Sequence, residues 1–114
     1  MNAGERRAAR HYLLRGWRIV GANERVGRNE IDLVVRRGRR LIVVEVKEKT
    51  GDRYGDPLEM VDAEKLRRVR RTAQAWLAAR PELTVLEVAF EVVGVSPGRV
   101  ERVRVEAGDE TDPA

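Results

Sequence analysis

Two apolar runs separated by an arginine-rich turn dominate the hydrophobic pattern of the chain. Residues 30–35 read Glu-Ile-Asp-Leu-Val-Val and residues 41–47 read Leu-Ile-Val-Val-Glu-Val-Lys, with Gly38 between them. Runs rich in Ile and Val predict β-strands, and the glycine predicts the tip of a hairpin. The second run is apolar at nearly every position, which is typical of an interior strand buried on both faces.

Helical and strand periodicity predicts the remaining elements on either side of this hairpin. Asn2 followed by Glu5 is a capping pattern that begins a helix, and Pro81 ends a second helix. The predicted elements are a helix over residues 2–16, a strand over 17–26, the hairpin, a helix over 61–79, a strand over 85–95 and an edge strand over 99–105. This order predicts an α/β fold with a central mixed β-sheet flanked by helices.

Length and composition predict one domain without membrane spans. The chain has 114 residues, and we expect a single domain over residues 1–105 followed by an acidic, disordered tail over residues 106–114. No run is apolar for long enough to cross a bilayer, and the N-terminus lacks a signal-peptide pattern, so we expect a cytoplasmic protein. The absence of cysteine excludes disulfides, thiolate nucleophiles and cysteine-ligated zinc.

The charge of the chain favours a partner that carries phosphates. The net charge is +4 and the pI is about 10.1, although several acids lie in the tail, so the folded part is more basic. Phosphate contacts set affinity without reading sequence, whereas a solvated surface is the alternative role for such side chains. The candidate nucleic-acid contacts are Lys49 and Arg53 in the polar loop over residues 48–56, and Arg67, Arg68 and Arg71 on the polar side of the second helix.

The hairpin register predicts opposed charges at its open end. If residues 38–39 form a two-residue loop, Asp32 lies opposite Glu45 and Glu30 lies opposite Lys47. Two directly opposed carboxylates are destabilising unless a positive charge lies between them. A divalent cation would resolve this conflict.

Carboxylate oxygens are the ligands that Mg²⁺ or Mn²⁺ takes in proteins, and the carbonyl of Val46 is also available. Asp32, Glu45 and Val46 are therefore the candidate metal ligands. A bound metal ion acidifies water and accepts charge on a phosphoryl oxygen. Lys47 projects to the same side as Glu45, where its ammonium could orient the attacking water or stabilise the transition state. Lysine at this position is informative because the chain has only 3 Lys beside 20 Arg.

Structural alternatives stand beside these roles. A Glu-x-Lys pair on a strand is, by itself, more often an exposed ion-paired edge. Glu5 could be a capping residue without a catalytic role or an acid of the metal site, and both interpretations remain open. For Glu30 we favour a salt bridge with Lys47 over direct metal ligation.

Taken together, these motifs resemble the PD-(D/E)XK nuclease superfamily and, more closely, the YraN family of predicted endonucleases, which is similar to archaeal Holliday junction resolvases. The resemblance covers about residues 4–95. It is carried by Glu5, residues 29–33 (Asn-Glu-Ile-Asp-Leu), residues 44–47 (Val-Glu-Val-Lys), residues 55–58 (Gly-Asp-Pro-Leu), Lys65, and the pair Arg67 and Arg68. It implies a restriction-endonuclease-like core, accessory roles for Glu5 and Lys65, a homodimer, and a part in DNA repair or recombination.

Two functions of different classes follow from the sequence. The first is a metal-dependent endonuclease that uses Mg²⁺ or Mn²⁺ to hydrolyse DNA, with branched or otherwise structured DNA among the candidate substrates. The second is a non-catalytic nucleic-acid-binding module that retains the nuclease fold and binds in a strongly salt-dependent way without turnover.

Overall fold

The computed structural model describes residues 1–49 and 57–106, which form an α/β fold with a five-stranded mixed sheet between helices. The α/β architecture predicted from the sequence is therefore confirmed. The elements are α1 (Ala3–Leu13), β1 (Arg18–Val26), β2 (Asn29–Arg37), β3 (Arg40–Glu48), α2 (Ala63–Ala78), β4 (Glu87–Ser96) and β5 (Arg99–Arg104), with short 3₁₀ turns at Pro57–Met60 and Pro81–Leu83.

The strands lie in chain order, β1-β2-β3-β4-β5, across the sheet. Strands β1, β2 and β3 form an antiparallel meander, β3 and β4 are parallel, and β4 and β5 are antiparallel. The parallel pair needs a long crossover, which includes α2. Strand β3 thus has neighbours on both edges, as its continuous apolar run predicts.

Helices α1 and α2 cover opposite faces of the sheet. Along β3, Ile42 and Val44 pack in the cluster that contains Ala8 and Tyr12 of α1, whereas Leu41 and Val43 pack with Ala73 and Trp76 of α2. Alternate side chains of a strand point to opposite faces, so the two clusters lie on the two sides of the sheet. No helix among residues 1–49 and 57–106 is long and apolar enough to cross a membrane.

A buried carboxylate joins α1 to the far edge of the sheet. Glu91 on β4 accepts a hydrogen bond of 2.6 Å from the hydroxyl of Tyr12, and Arg102 on β5 donates to both of its oxygens at 2.8 and 3.1 Å. Burial alone would raise the pKa of Glu91, but the hydrogen bonds from Arg102 and Tyr12 hold it below its usual value. The network fixes the orientation of α1 on the sheet.

Substituting Tyr12→Phe removes one donor from this buried carboxylate. We expect the free energy of unfolding to fall by about 1.5–3 kcal/mol, the usual range for a hydrogen bond to a charged group. Urea denaturation at pH 7 measures the change, and combining the substitution with Glu91→Gln in a double-mutant cycle isolates the coupling. A coupling near zero would mean that the bond does not contribute to stability.

Candidate functional site

The sheet opens between β2 and β3 at the end farthest from their turn. The predicted hairpin register is confirmed from the turn as far as the pair of Leu33 and Val44, where the ladder ends. The predicted opposition of Asp32 and Glu45 as a ladder pair is therefore wrong, because the strands separate one residue earlier. The separation leaves space at the end of the sheet where polar side chains collect.

Asp32 fills part of this opening. Its Oδ2 accepts a hydrogen bond of 2.8 Å from the backbone N–H of Val46, in place of a ladder bond between the two strands. Its neighbours Ile31 and Leu33 pack in clusters on opposite faces of the sheet, although residues two apart on a regular strand share a face. The strand is thus irregular at Asp32, which lies in the opening rather than within either core.

Three carboxylates meet beside the opening. Glu5 from α1 and Glu30 and Asp32 from β2 each have a carboxylate oxygen within 4.8 Å of the others. We call these three residues the acid cluster. The β2–β3 ladder ends before Glu30 and Lys47, so the predicted opposition of these two residues as a ladder pair is corrected. On its other edge, Glu30 pairs with Arg25 of β1. The cluster includes Glu30, for which a salt bridge was the favoured interpretation.

Glu5 completes a capping box and also lies in the acid cluster. Its side chain accepts the N–H of Asn2 at 2.9 Å while Asn2 accepts the N–H of Glu5 at 2.8 Å, which completes a capping box. The adjacent residue, Gly4, contacts the end of β3, where its N–H donates a hydrogen bond of 3.0 Å to the side chain of Glu48. A Cβ at position 4 would collide with that side chain. The glycine thus lets α1 approach β3 closely enough to deliver Glu5 to the cluster.

Two lysines lie beside Glu45 on the other strand of the opening. Glu45 is buried, and its Oε2 is 3.6 Å from the ammonium of Lys65 and 3.9 Å from that of Lys47. Lys65 is held in the first turn of α2, where its backbone N–H donates to the capping side chain of Asp62. The structure therefore brings together three residues that the sequence assigned to one site.

The carboxyl group of Asp32 has a raised pKa. Burial, followed by the negative charges of Glu45 and Glu5, raises its pKa to about 7, although the N–H of Val46 and the charge of Lys65 act in the opposite direction. Near neutral pH, the protonated and ionised forms of Asp32 are therefore both populated. A divalent cation in the opening would favour the ionised form.

The structure describes only some of the residues that were predicted to contact nucleic acid. Lys49 is buried and its ammonium lies 3.0 Å from Glu101, so the expectation that it contacts a phosphate at the surface is corrected. Arg53 and residues 50–56 of the predicted flap lie outside the described residues, as do residues 107–114 of the predicted tail. On α2, Arg71 is exposed, whereas Arg67 and Arg68 are half-buried.

The sequence interpretation missed Asn23 on β1. Its side-chain amide donates to Glu5 at 3.2 Å and to Glu30 at 3.0 Å, so it touches two members of the acid cluster. Asn23 also has a φ of 49° and is the one non-glycine residue with positive φ in the described ranges. Asparagine is uncommon within strands, and this was the signal that could have drawn attention to it.

The substitution Asp32→Asn removes the negative charge of this carboxylate. It keeps a side-chain oxygen that can accept the hydrogen bond from the N–H of Val46. Because the folded pKa of about 7 lies above the ordinary value of 3.8, the folded state holds more protons between these values and loses stability as the pH rises through them. The variant should therefore be more stable than the parent at pH 8, by about 2 kcal/mol, half of what the pKa difference implies because water screens a partly exposed carboxylate.

Urea denaturation at pH 5 and pH 8 measures this effect, and the gain should be clearly smaller at pH 5. Glu82→Gln, which neutralises an exposed carboxylate, is the matched control and should change stability little at either pH. A destabilised Asp32→Asn variant at pH 8 would contradict the electrostatic interpretation.

Comparison with known proteins identifies the family of the chain, the YraN family noted in the sequence, which is also called UPF0102. Residues 4–95 match the model of a family described as "Uncharacterised protein family UPF0102". A UPF0102 protein of Frankia casuarinae is 43% identical over 106 residues, covering 89% of each chain. One of Symbiobacterium thermophilum is 43% identical over 102 residues, covering 90% of this chain and 86% of its own. One of Nitrobacter winogradskyi is 36% identical over 100 residues, covering 88% and 83%. The chain therefore belongs to the UPF0102 family.

Proposed function

We propose that this protein is a metal-dependent endonuclease that hydrolyses phosphodiester bonds in DNA, with a restriction-endonuclease-like core. The observation that carries the proposal is the convergence of Glu5, Glu30 and Asp32 within 4.8 Å at an opening of the sheet, beside a buried Glu45 that two lysines contact. In metal-dependent hydrolysis of a phosphodiester, a bound cation and a nearby positive charge both stabilise the negative charge that develops in the transition state.

The donor set fits a hard divalent cation. Oxygen ligands at the bond lengths of Mg²⁺ lie about 3–4 Å apart, so the oxygens of the acid cluster need only small side-chain rotations to share one ion. We assign Asp32, Glu45 and the carbonyl of Val46 as ligands. Glu5 and Glu30 are accessory acids that could bind the same ion, because their carboxylate oxygens lie within 4.8 Å of an oxygen of Asp32. The N–H of Val46 points to Asp32, and in an extended strand the carbonyl of the same residue faces the same edge.

The lysines supply the positive charge for the reaction. Bound Mg²⁺ or Mn²⁺ would acidify a water and withdraw charge from the phosphoryl oxygen. Lys47, whose side chain is partly exposed, orients this water or stabilises the negative charge that develops as the new P–O bond forms and the sugar oxygen leaves. Lys65 keeps Glu45 in place from the side of α2, which makes it an accessory residue.

Charge and resemblance support the choice of DNA. The chain is basic, and Arg67, Arg68 and Arg71 follow Lys65 along α2, where they can contact the phosphates that flank the cleaved bond. The resemblance to Holliday junction resolvases supports branched DNA as the substrate. It also supports a homodimer, because a symmetric junction needs two cuts, and a role in repair or recombination.

We expect Asp32→Asn, Glu45→Gln and Lys47→Met each to lower cleavage by at least about 100-fold, because each removes a ligand or a charge that acts in the transition state. The measurement is cleavage of labelled four-way junctions, flaps and linear duplexes with Mg²⁺, with Mn²⁺ and with chelator. The control is Glu87→Gln, which lies opposite Arg40 at the other end of the parallel β3–β4 pair and should cleave like the parent.

The outcome separates the two classes of function. Cleavage retained by all three purified variants would refute the assignment. If the parent neither cleaves DNA nor binds Mn²⁺ in calorimetry, even with DNA present, the protein is a non-catalytic binding module.

A second prediction concerns the arginines of α2. The double substitution Arg68→Gln with Arg71→Gln should weaken DNA binding for all sequences alike. It should also reduce the slope of log K against log salt by about 2, because each phosphate contact contributes about one unit. Fluorescence anisotropy in chelator at several salt concentrations measures the slope.

The matched control removes the same charge from the opposite end of the sheet. Arg39→Gln with Arg40→Gln changes the hairpin turn between β2 and β3, away from the acid cluster. Equal effects of the two double variants would mean that net charge alone governs binding and that α2 has no special contact with DNA.

A further inference from the structure

We propose that Asn23 is a positioning residue that holds Glu5 and Glu30 in place beside Asp32, so that the acid cluster is arranged for a divalent cation before the cation arrives. The positioning is a property of the protein itself. Its consequence for metal affinity rests on the proposed function. The backbone and the side chain of Asn23 both support this role.

The backbone is irregular at facing positions of the neighbouring strands β1 and β2. The β1–β2 ladder runs through the pair of Ala22 and Leu33 and resumes at the pair of Glu24 and Ile31, so Asn23 and Asp32 are the two positions left between them. The pairing register is the same on both sides of this gap, and the register shift in the ladder lies between Ile19 and Gly21. The sheet is thus interrupted at the one point where Asn23 faces the residue at the centre of the site.

The conformation of Asn23 explains the residue type. Its φ of 49° is left-handed, a region that most L-residues avoid and that asparagine tolerates better than others. In a regular strand the side chain at this position would point to one face of the sheet. With the left-handed backbone of Asn23, the side-chain amide reaches both glutamates.

The side-chain amide of Asn23 donates to two different carboxylates. Carboxylates accept hydrogen bonds only, and an asparagine amide has two N–H donors. Nδ2 of Asn23 lies 3.2 Å from Oε1 of Glu5 and 3.0 Å from Oε1 of Glu30, so one amide bridges a helix residue and a strand residue. No other single side chain among the described residues donates to two members of the acid cluster.

A neutral donor suits this position better than a charged one. Lysine or arginine would also bridge two carboxylates, but its positive charge would compete with the cation for the same acids. The amide lowers the repulsion between Glu5 and Glu30 and leaves their negative charge available. Groups beyond the ligands commonly contribute 10–100-fold to metal affinity by orienting them, and Asn23 has this relation to the acid cluster.

The competing explanation is that Asn23 serves only the left-handed backbone. Glycine adopts this conformation without strain, so Asn23→Gly keeps the backbone and removes only the amide. If the backbone is the whole role, Asn23→Gly should bind metal like the parent. Asn23→Ala, which has a Cβ and no amide, should melt at a lower temperature than Asn23→Gly in either case, and it therefore reports the backbone cost separately.

The first experiment is calorimetric titration of Mn²⁺ into the parent and Asn23→Gly. We expect Asn23→Gly to bind Mn²⁺ about 10–100-fold more weakly, while its Tm stays within about 5 °C of the parent. Equal Mn²⁺ affinity in the two proteins would overturn the proposal. Cleavage assays of the same variant should show a lower kcat at saturating metal and an unchanged KM for DNA, since Asn23 acts through the acids and not through the substrate.

The second experiment needs no metal. Asn23→Asp keeps the size of the side chain and its tolerance of left-handed angles but places a fourth carboxylate against the cluster. In chelator at pH 8 its Tm should fall below that of the parent and of Asn23→Gly. Asn29→Asp makes the same chemical change at an exposed position of β2 and should have little effect. A Tm for Asn23→Asp equal to that of Asn29→Asp would overturn the proposal.

The third readout observes the bridge directly. In ¹⁵N-resolved NMR spectra of the metal-free protein, the two side-chain amide protons of Asn23 should exchange slowly with water. Glu5→Gln and Glu30→Gln should each shift these two resonances. Solvent-like exchange would overturn the positioning role. Failure of the parent to bind Mn²⁺ would instead count against the proposed function, and the NMR and Asn23→Asp results would still decide the role of Asn23.

Discussion

The hydrogen bond from the N–H of Val46 to the carboxylate of Asp32 is the interaction on which the rest of the site depends. It replaces a backbone ladder bond with a bond from backbone to side chain at the point where β2 and β3 separate. The opening would otherwise expose unsatisfied backbone groups, which carry a substantial free-energy cost when buried. The side chain of Asp32 satisfies the N–H of Val46 and at the same time places a negative charge at the end of the sheet.

The negative charge is stabilised from several elements and remains only partly balanced. Lys47 and Lys65 lie beside Glu45, and Asn23 bridges two acids, yet the pKa of Asp32 stays near 7 because burial and the neighbouring carboxylates act together. A carboxyl group whose pKa is raised on folding lowers the stability of the folded chain as the pH rises. The buried Tyr12–Glu91 bond joins α1 to β4, and the hydrogen bond from the N–H of Gly4 to Glu48 joins α1 to β3.

The sequence determined the elements and most of the residues of the site. The unbroken apolar run of β3 placed it in the interior of the sheet, and the capping pattern of Asn2 and Glu5 located the start of α1 within a residue. Gly38 established the hairpin register because a two-residue turn leaves one pairing available. These features depend on local periodicity and turn chemistry, which a single sequence contains, and they led to Glu5, Asp32 and Glu45.

Only the tertiary structure decided how those residues meet. The β2–β3 ladder ends at the pair of Leu33 and Val44, next to the gap at Asn23 and Asp32 in the β1–β2 ladder. Regular alternation contains no information about where a ladder ends. The position of Glu30 in the acid cluster and the burial of Lys49 against Glu101 likewise depend on contacts between elements distant in the chain. Local patterns specify which face a side chain takes, whereas the packing of α1 and β1 against the open end of the sheet determines which charges become neighbours.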